Sequence, residues 1–246
     1  MKLIVLDSKH FDSKAAEIAY QHLKRKQEIS LGFATGNTTI RFHKALAKKI
    51  EENKLDVSKI NTFILDEYIG LPKNHPNSCY YRMNEQLFKS IHLQPKQIHF
   101  FNNVQANEDL HISCDQYEKS IESCGGIDIQ FLGIGLNGHI GFNEPGTPFE
   151  STTHVINIDE NSRLSKAYMF ESFELVPTKA ITMGIKSIMM AKQIFLLAKG
   201  NSKADIIKQA LCGPITTDIP ASILQLHPFL TVIIDTLAAE KIDKTE

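Results

Sequence analysis

Short, nearly uninterrupted apolar runs alternate with stretches of helical periodicity along the chain. The runs occupy residues 3–6, 29–34, 61–65, 97–101, 127–133, 155–158, 193–198 and 231–234. They are dense in Ile, Leu, Val and Phe, the pattern of strands covered on both faces. Between them, residues 13–26, 39–53, 78–91, 109–123 and 202–211 read as amphipathic helices. Over 39–53, Ile40, Ala45, Leu46, Ala47 and Ile50 make an apolar stripe, with Lys44, Lys48 and Lys49 outside it. Strand–helix–strand alternation predicts a Rossmann-like α/β fold, a mainly parallel sheet with helices on both faces. No repeat, low-complexity tract or linker divides it, so residues 1–246 read as one domain. The first run, ending at Asp7, reads as a buried strand. The least regular stretch, 144–155, holds Pro145, Gly146 and Pro148 and reads as a candidate flap.

Charge narrows the function. Lys and Arg total 27 and Asp and Glu 28, a net charge of −1. That argues against nucleic-acid binding by bulk electrostatics. No apolar run approaches the ~20 residues of a membrane span, and the start lacks the long apolar core of a signal peptide. The four cysteines, Cys79, Cys114, Cys124 and Cys212, form no C-x-x-C pair, so zinc and redox motifs are absent. Idle thiols in a reducing cytoplasm are the expectation.

In open α/β sheets ligands sit at the C-terminal ends of strands, so the residues just after each run matter most. After 29–34 comes Thr35-Gly36-Asn37-Thr38-Thr39 and then a helix. Such a turn presents free N–H groups and the positive helix end to an anion. It is equally an ordinary helix start capped by Asn37 or Thr38, and it is no Walker loop. Lys203, early in the 202–211 helix, opposes the helix dipole unless an anion is bound. After 61–65 come Asp66 and Glu67, where a carboxylate can act as a general base or simply be solvated. The densest segment, 133–146, carries Gly133, Gly135, Gly138, Gly141 and Gly146 with Asn137, His139, Asn143 and Glu144. The glycines allow close backbone approach to a ligand. A carboxylate beside His139 would fix its tautomer and raise its basicity. No second histidine stands at a metal-ligand spacing, so no metal is expected.

Taken together, residues 65–71 (LDEYIGL) and 133–146 (GIGLNGHIGFNEPG) resemble the glucosamine-6-phosphate deaminase (isomerase) family. Weaker likeness extends to residues 34–38, 176–184 and 222–227. The resemblance implies conversion of an aminohexose 6-phosphate and water to fructose 6-phosphate and ammonia without a cofactor. It implies that Asp66 moves the proton between C2 and C1 and that His139 opens the ring. Glu144 and Asn137 would orient His139. The phosphate would lie on Thr35, Gly36, Asn37, Thr38 and Lys203, with Glu67 and Gly138 also lining the substrate. The partner is then a small aminosugar phosphate, bound by a monomer or a homo-oligomer.

The chain departs from the family pattern in places. Asn137 stands where many relatives have Asp, and Thr39 replaces a proline. A phosphate-binding arginine of some relatives falls at Tyr168, with Arg163 five residues earlier. The basic residues that bind an allosteric sugar phosphate in hexameric relatives fall near His154 and Ile156, so no such activation is expected. Galactosamine 6-phosphate, giving tagatose 6-phosphate, is an alternative substrate, because the acid–base set does not read the C4 hydroxyl. A 6-phosphogluconolactonase fits less well, since lactone hydrolysis needs no enolising carboxylate. A sugar-phosphate sensor is the alternative of another class. It would bring a helix-turn-helix, for which a first strand at 3–6 leaves no room.

Overall fold

The structure, a computed structural model, describes residues 1–26, 28–101, 109–158, 160–164 and 166–242. In chain order the elements are β1 (Lys2–Leu6), α1 (Phe11–Leu23), β2 (Ile29–Phe33), α2 (Thr39–Glu52), β3 (Ile60–Ile64), β4 (Asp66–Tyr68), α3 (Cys79–Met83), β5 (Ile98–His99) and α4 (Leu110–Ser123). They continue as β6 (Ile129–Leu132), β7 (His154–Asn157), α5 (Glu160–Leu164), β8 (Lys179–Thr182), α6 (Ile185–Met189), β9 (Gln193–Ala198), α7 (Ala204–Cys212) and β10 (Leu230–Asp235).

Seven strands form one sheet in the order β1-β10-β9-β6-β2-β3-β5, with every pairing parallel. Side chains of a strand alternate between faces, and here both faces are dry. On β9, Ile194, Leu196 and Ala198 join the core under α4, α6 and α7, while Phe195 and Leu197 join the core under α1, α2 and α3. That accounts for the unbroken apolar runs. Among the described residues no helix is long and apolar enough to cross a membrane.

The order also sets the site. From β2 the chain builds outward through β3 and β5, then returns to the other side of β2 with β6 and builds through β9 and β10. The reversal falls between β2 and β6, and such a switch point opens a crevice at the strands' C-terminal ends. The turn 35–39 leaves β2 there and the glycine-rich segment leaves β6 there.

Four expectations change. The strand at 3–6 is not buried: β1 is a sheet edge, with Leu3 and Val5 exposed. The strand expected at 97–101 shortens to β5, since it too is an edge and Gln97 instead donates its amide to the carbonyls of Val57 and Ile60. The run at 155–158 does not enter the parallel sheet. It forms β7, which pairs antiparallel with β8, and β8 pairs antiparallel with β4. This second sheet was not foreseen. The chain leaves the large sheet at Leu65, whose N–H bonds the Phe33 carbonyl and whose carbonyl accepts from Met183. The helix expected over 78–91 begins as α3 and then widens, with the Lys89 N–H bonding the Asn84 carbonyl five residues back.

His43, on α2, is fully buried against Phe33, with Nδ1 3.0 Å from Gln86 Oε1. Burial pushes its pKa down to about 4 from an ordinary 6.5. The unfolded chain therefore takes up a proton near pH 6.5 that the fold refuses until about pH 4. The stability contributed by neutral His43 is whole above pH 6.5 and is lost as pH falls to 4, about 3 kcal/mol in all. Glu67, raised by burial to about 7, acts oppositely over nearly the same range. The effect is therefore read as a difference. Urea unfolding at pH 7, 5.5 and 4 should show wild type losing stability relative to His43→Asn, and parallel curves would refute the assignment.

Candidate active site

Asp66 sits where the two sheets meet, on β4 opposite Thr182, and is 5% exposed. Burial raises its pKa. The Cys79 thiol and the charges of Arg82, Lys166 and His139 hold that rise back. Arg82 and Lys166 thus bring positive charge from two segments within electrostatic range of one carboxylate.

His139 lies on the segment after β6. Its ring packs on Gly135, where a Cβ would stand 2.3–2.5 Å from three ring atoms. Glycine at 135 is what lets the imidazole lie there. The Gly135 N–H bonds the His139 carbonyl at 2.8 Å, closing the loop. His139 Nδ1 is 3.5 Å from Glu144 Oε1, an ion-pair distance long for a hydrogen bond. Asn137 ties the two together: its Nδ2 donates to Glu144 Oε2 at 2.7 Å and its Oδ1 accepts from the His139 backbone N–H at 3.2 Å. Ser162 donates to Glu144 Oε1 at 2.8 Å. Burial alone would push the Glu144 pKa up. His139, Asn137 and Ser162 outweigh it and bring it down to about 2, so the carboxylate is ionised at neutral pH.

The turn after β2 has an unspent helix end. No side chain caps α2, and Thr38 has helical dihedrals, so the ordinary cap by Asn37 or Thr38 is not formed. The Thr39 hydroxyl lies 3.0 Å from the Ala34 carbonyl and 2.8 Å from that of Gly36, holding the turn. Gly36, Asn37 and Thr38 therefore surround an open N-terminus of a long helix. Lys203 reaches back to the Ile134 carbonyl at 2.7 Å and has no carboxylate partner among the described residues. Burial and the nearby Lys166 lower its pKa to about 8.

The segment between β7 and β8 roofs the cleft. Tyr168 Oη accepts from Asn37 Nδ2 at 2.9 Å, and Ser162 reaches Glu144. Lys166 lies within electrostatic range of both Asp66 and Lys203. A narrow recess there is lined by Tyr68, His139, Phe142, Glu144, Ser162 and Lys166, among others. A wider hollow of about 390 Å³, between residues 50–58 and 90–97, lies at the opposite end of the sheet and carries none of these groups. Among the described residues no three His, Cys, Asp or Glu side chains are grouped to hold a metal.

So Asp66, His139, Glu144, Asn137, Lys203 and the α2 N-terminus converge. Three of the residues expected to touch substrate are engaged elsewhere. Thr35 is buried, with its hydroxyl on Cys79 and Asp66 rather than in the turn. Glu67 accepts from the backbone N–H groups of Tyr68, Cys79 and Tyr80 at 2.8–2.9 Å. Gly138, at φ +87°, gives its carbonyl to the Ala221 N–H and packs under Ile219. Asn143 is structural, bonding the carbonyls of Ile140 and Met183. Sequence reading passed over Cys79, Arg82, Ser162 and Lys166. Only Lys166 carried a signal, a cation two residues before Tyr168.

A family model described as glucosamine-6-phosphate isomerases/6-phosphogluconolactonase matches residues 8–232. The chain belongs to this family. Within it, a glucosamine-6-phosphate deaminase of Thermoanaerobacter pseudethanolicus is 45% identical over 98% of this chain and 95% of its own. One from Clostridium botulinum strain Loch Maree is 46% identical over 99% of each. A solved structure described as a monomeric glucosamine-6-phosphate deaminase superposes with a TM-score of 0.92 at 41% identity, covering 98% of this chain and all of that one. A 6-phosphogluconolactonase from Thermotoga maritima, 18% identical with a TM-score of 0.74 over 95% and 99% of the two chains, shares the fold. The family resemblance expected from residues 65–71 and 133–146 is thereby established.

Proposed function

We propose that this chain is a glucosamine-6-phosphate deaminase, turning D-glucosamine 6-phosphate and water into D-fructose 6-phosphate and ammonia. The observation that carries the reading is the convergence, at one switch point, of a buried carboxylate, a carboxylate-paired imidazole and an uncapped helix end. Relatives of that name at about 45% identity over nearly the whole chain support it.

The 6-phosphate is taken by the N–H groups after Gly36, by Lys203 and by Lys166 from the roof. Lys166 then supplies the cation that Tyr168 does not. Held by its far end, the sugar presents C1, C2 and O5 to the acid–base groups. His139 removes the anomeric hydroxyl proton and delivers one to O5, opening the ring; Glu144 steadies the imidazolium. Asp66 takes the C2 proton, giving a 2-amino enol, and returns a proton to C1. The resulting imine at C2 adds water and releases ammonia, leaving the ketose. Burial makes Asp66 a stronger base than a solvated carboxylate.

The test supplies glucosamine 6-phosphate and galactosamine 6-phosphate separately and follows ammonia and ketose phosphate. Ammonia with fructose 6-phosphate from the first is expected. Tagatose 6-phosphate from the second alone would favour the other epimer, which Tyr168 in place of an arginine makes worth including. Ammonia from neither would leave the sensor reading. The pH dependence is also specified. Lys203 loses its charge near pH 8, so KM should climb above that pH, by up to about tenfold per unit, with kcat less affected. A KM flat from pH 7 to 9.5 would remove Lys203 from phosphate binding.

A further inference from the structure

The carboxylate that pairs with His139 is held by a residue from outside their common loop. His139, Asn137 and Glu144 all lie on the segment after β6. Asn137 Nδ2 donates to Glu144 Oε2 at 2.7 Å. The other oxygen, Oε1, accepts from Ser162 Oγ at 2.8 Å. Ser162 lies 18 residues further along, on α5, in the segment that roofs the cleft. Oε1 is also the oxygen that faces the imidazole, 3.5 Å from His139 Nδ1. That nitrogen is buried and has no hydrogen-bond partner among the described residues. A full N–H···O bond would close to about 2.9 Å. The oxygen on which His139 Nδ1 depends is therefore the one that Ser162 holds.

We propose that Ser162 is a positioning residue for ring opening, fixing the plane of the Glu144 carboxylate so that Oε1 stays directed at His139 Nδ1. A carboxylate held at one oxygen can still turn about that bond. Held at both, with Asn137 on one and Ser162 on the other, its plane is set. A carboxylate beside an imidazole fixes the ring's tautomer and orientation, and it can do so only while its own oxygens are fixed. The hydroxyl is the donor, because an ionised carboxylate only accepts. It brings no charge to the pair, so it orients Glu144 without offsetting the carboxylate's charge as a lysine or arginine would. Ser162 is itself placed by its neighbour. Arg163 donates from Nη2 to the carbonyls of Phe173 and Val176 at 3.2 and 2.9 Å, with its guanidinium over the Phe173 ring. This ties α5 to the chain entering β8. The inference rests on the ring-opening role proposed for His139.

Dependence on Glu144 separates this role from simple packing. Ser162→Ala removes the hydroxyl and leaves a residue that suits a helix at least as well. On glucosamine 6-phosphate kcat should fall about three- to tenfold, the worth of one hydrogen bond, with KM near its wild-type value. Ser162→Thr keeps a hydroxyl and should recover most of that loss. In a Glu144→Gln background Ser162→Ala should cost little further, since the carboxylate it positions is gone, whereas a residue that merely packs costs the same in both backgrounds. The contact is also read without turnover, by ¹⁵N NMR of the histidine rings in the full chain, with His139 identified by its absence in His139→Gln. Its Nδ1 resonance should move in Ser162→Ala and stay in place in Ser162→Thr. A loss restored by threonine and absent without Glu144, together with a moved resonance, supports the proposal. A wild-type kcat in Ser162→Ala, an equal loss in both backgrounds or an unmoved Nδ1 resonance overturns it. If wild type releases no ammonia, the functional reading fails, and the Nδ1 resonance alone decides on Ser162.

Discussion

Asp66→Asn is expected to lower ammonia release by about 10²–10⁴-fold while sugar-phosphate binding changes little. The amide keeps the shape of the carboxylate but cannot accept the C2 proton. The groups proposed for the phosphate lie on the α2 end, on Lys203 and on Lys166, so they are untouched. Folding should not suffer. The carboxylate is buried at 5% exposure and burial disfavours its charge, so a neutral isostere should be as stable or more so. Single-turnover ammonia release, a binding isotherm for the substrate and a thermal melt together make the test. Turnover near wild type would refute Asp66 as the base. Loss of binding and melting temperature together would mean the residue is structural.

Gly135→Ala should be nearly as damaging to catalysis, with His139 itself intact. The added Cβ would stand 2.3–2.5 Å from three atoms of the imidazole, so the ring must swing away from Glu144. An ångström of misplacement at a reacting group costs about 10²-fold, and a loss of that order in kcat is expected. Gly135 is not among the glycines at positive φ, so the backbone accepts alanine and only a side chain must yield. The melting temperature should fall by a few degrees at most. Gly184→Ala is the contrasting case: there the Cβ would meet the backbone carbonyl oxygens of Ser151 and Thr152 at 2.1 Å, and folding should suffer instead. On the proposed role of His139 in ring opening, Gly135→Ala and His139→Gln should both slow closed-ring substrate more than an open-chain form. Equal losses on the two forms would move His139 to another step.

The parallel sheet was legible because it depends on contiguous residues. Runs such as 194–198, apolar at every position, suit a strand covered on both sides, and β9 is covered so. The glycine-rich segment was legible for a similar reason: its imidazole, carboxylate and amide lie within eight residues, and Asn137 joins Glu144 directly. The edge strand β1 misled, since its apolar residues look like those of a buried strand although half of them face solvent.

What local pattern does not carry is the choice of partner for short, ambiguous pieces. β4, β7 and β8 have three or four residues each and become a sheet only because Asp66 meets Thr182 and His154 meets it from the other side. The same long-range packing spends Glu67 on α3, hides Thr35 against Asp66 and Cys79 and lowers a roof bearing Lys166. Residue type and spacing along the chain could offer Asp66, His139 and the turn after β2 as candidates, and the family resemblance proposed their roles. That Glu67 is bound to the backbone of α3 and that Thr35 lies against Cys79 and Asp66 followed from contacts between segments far apart in the chain. Such contacts are set by the free energy of the whole packed arrangement and leave no mark in any one window of residues.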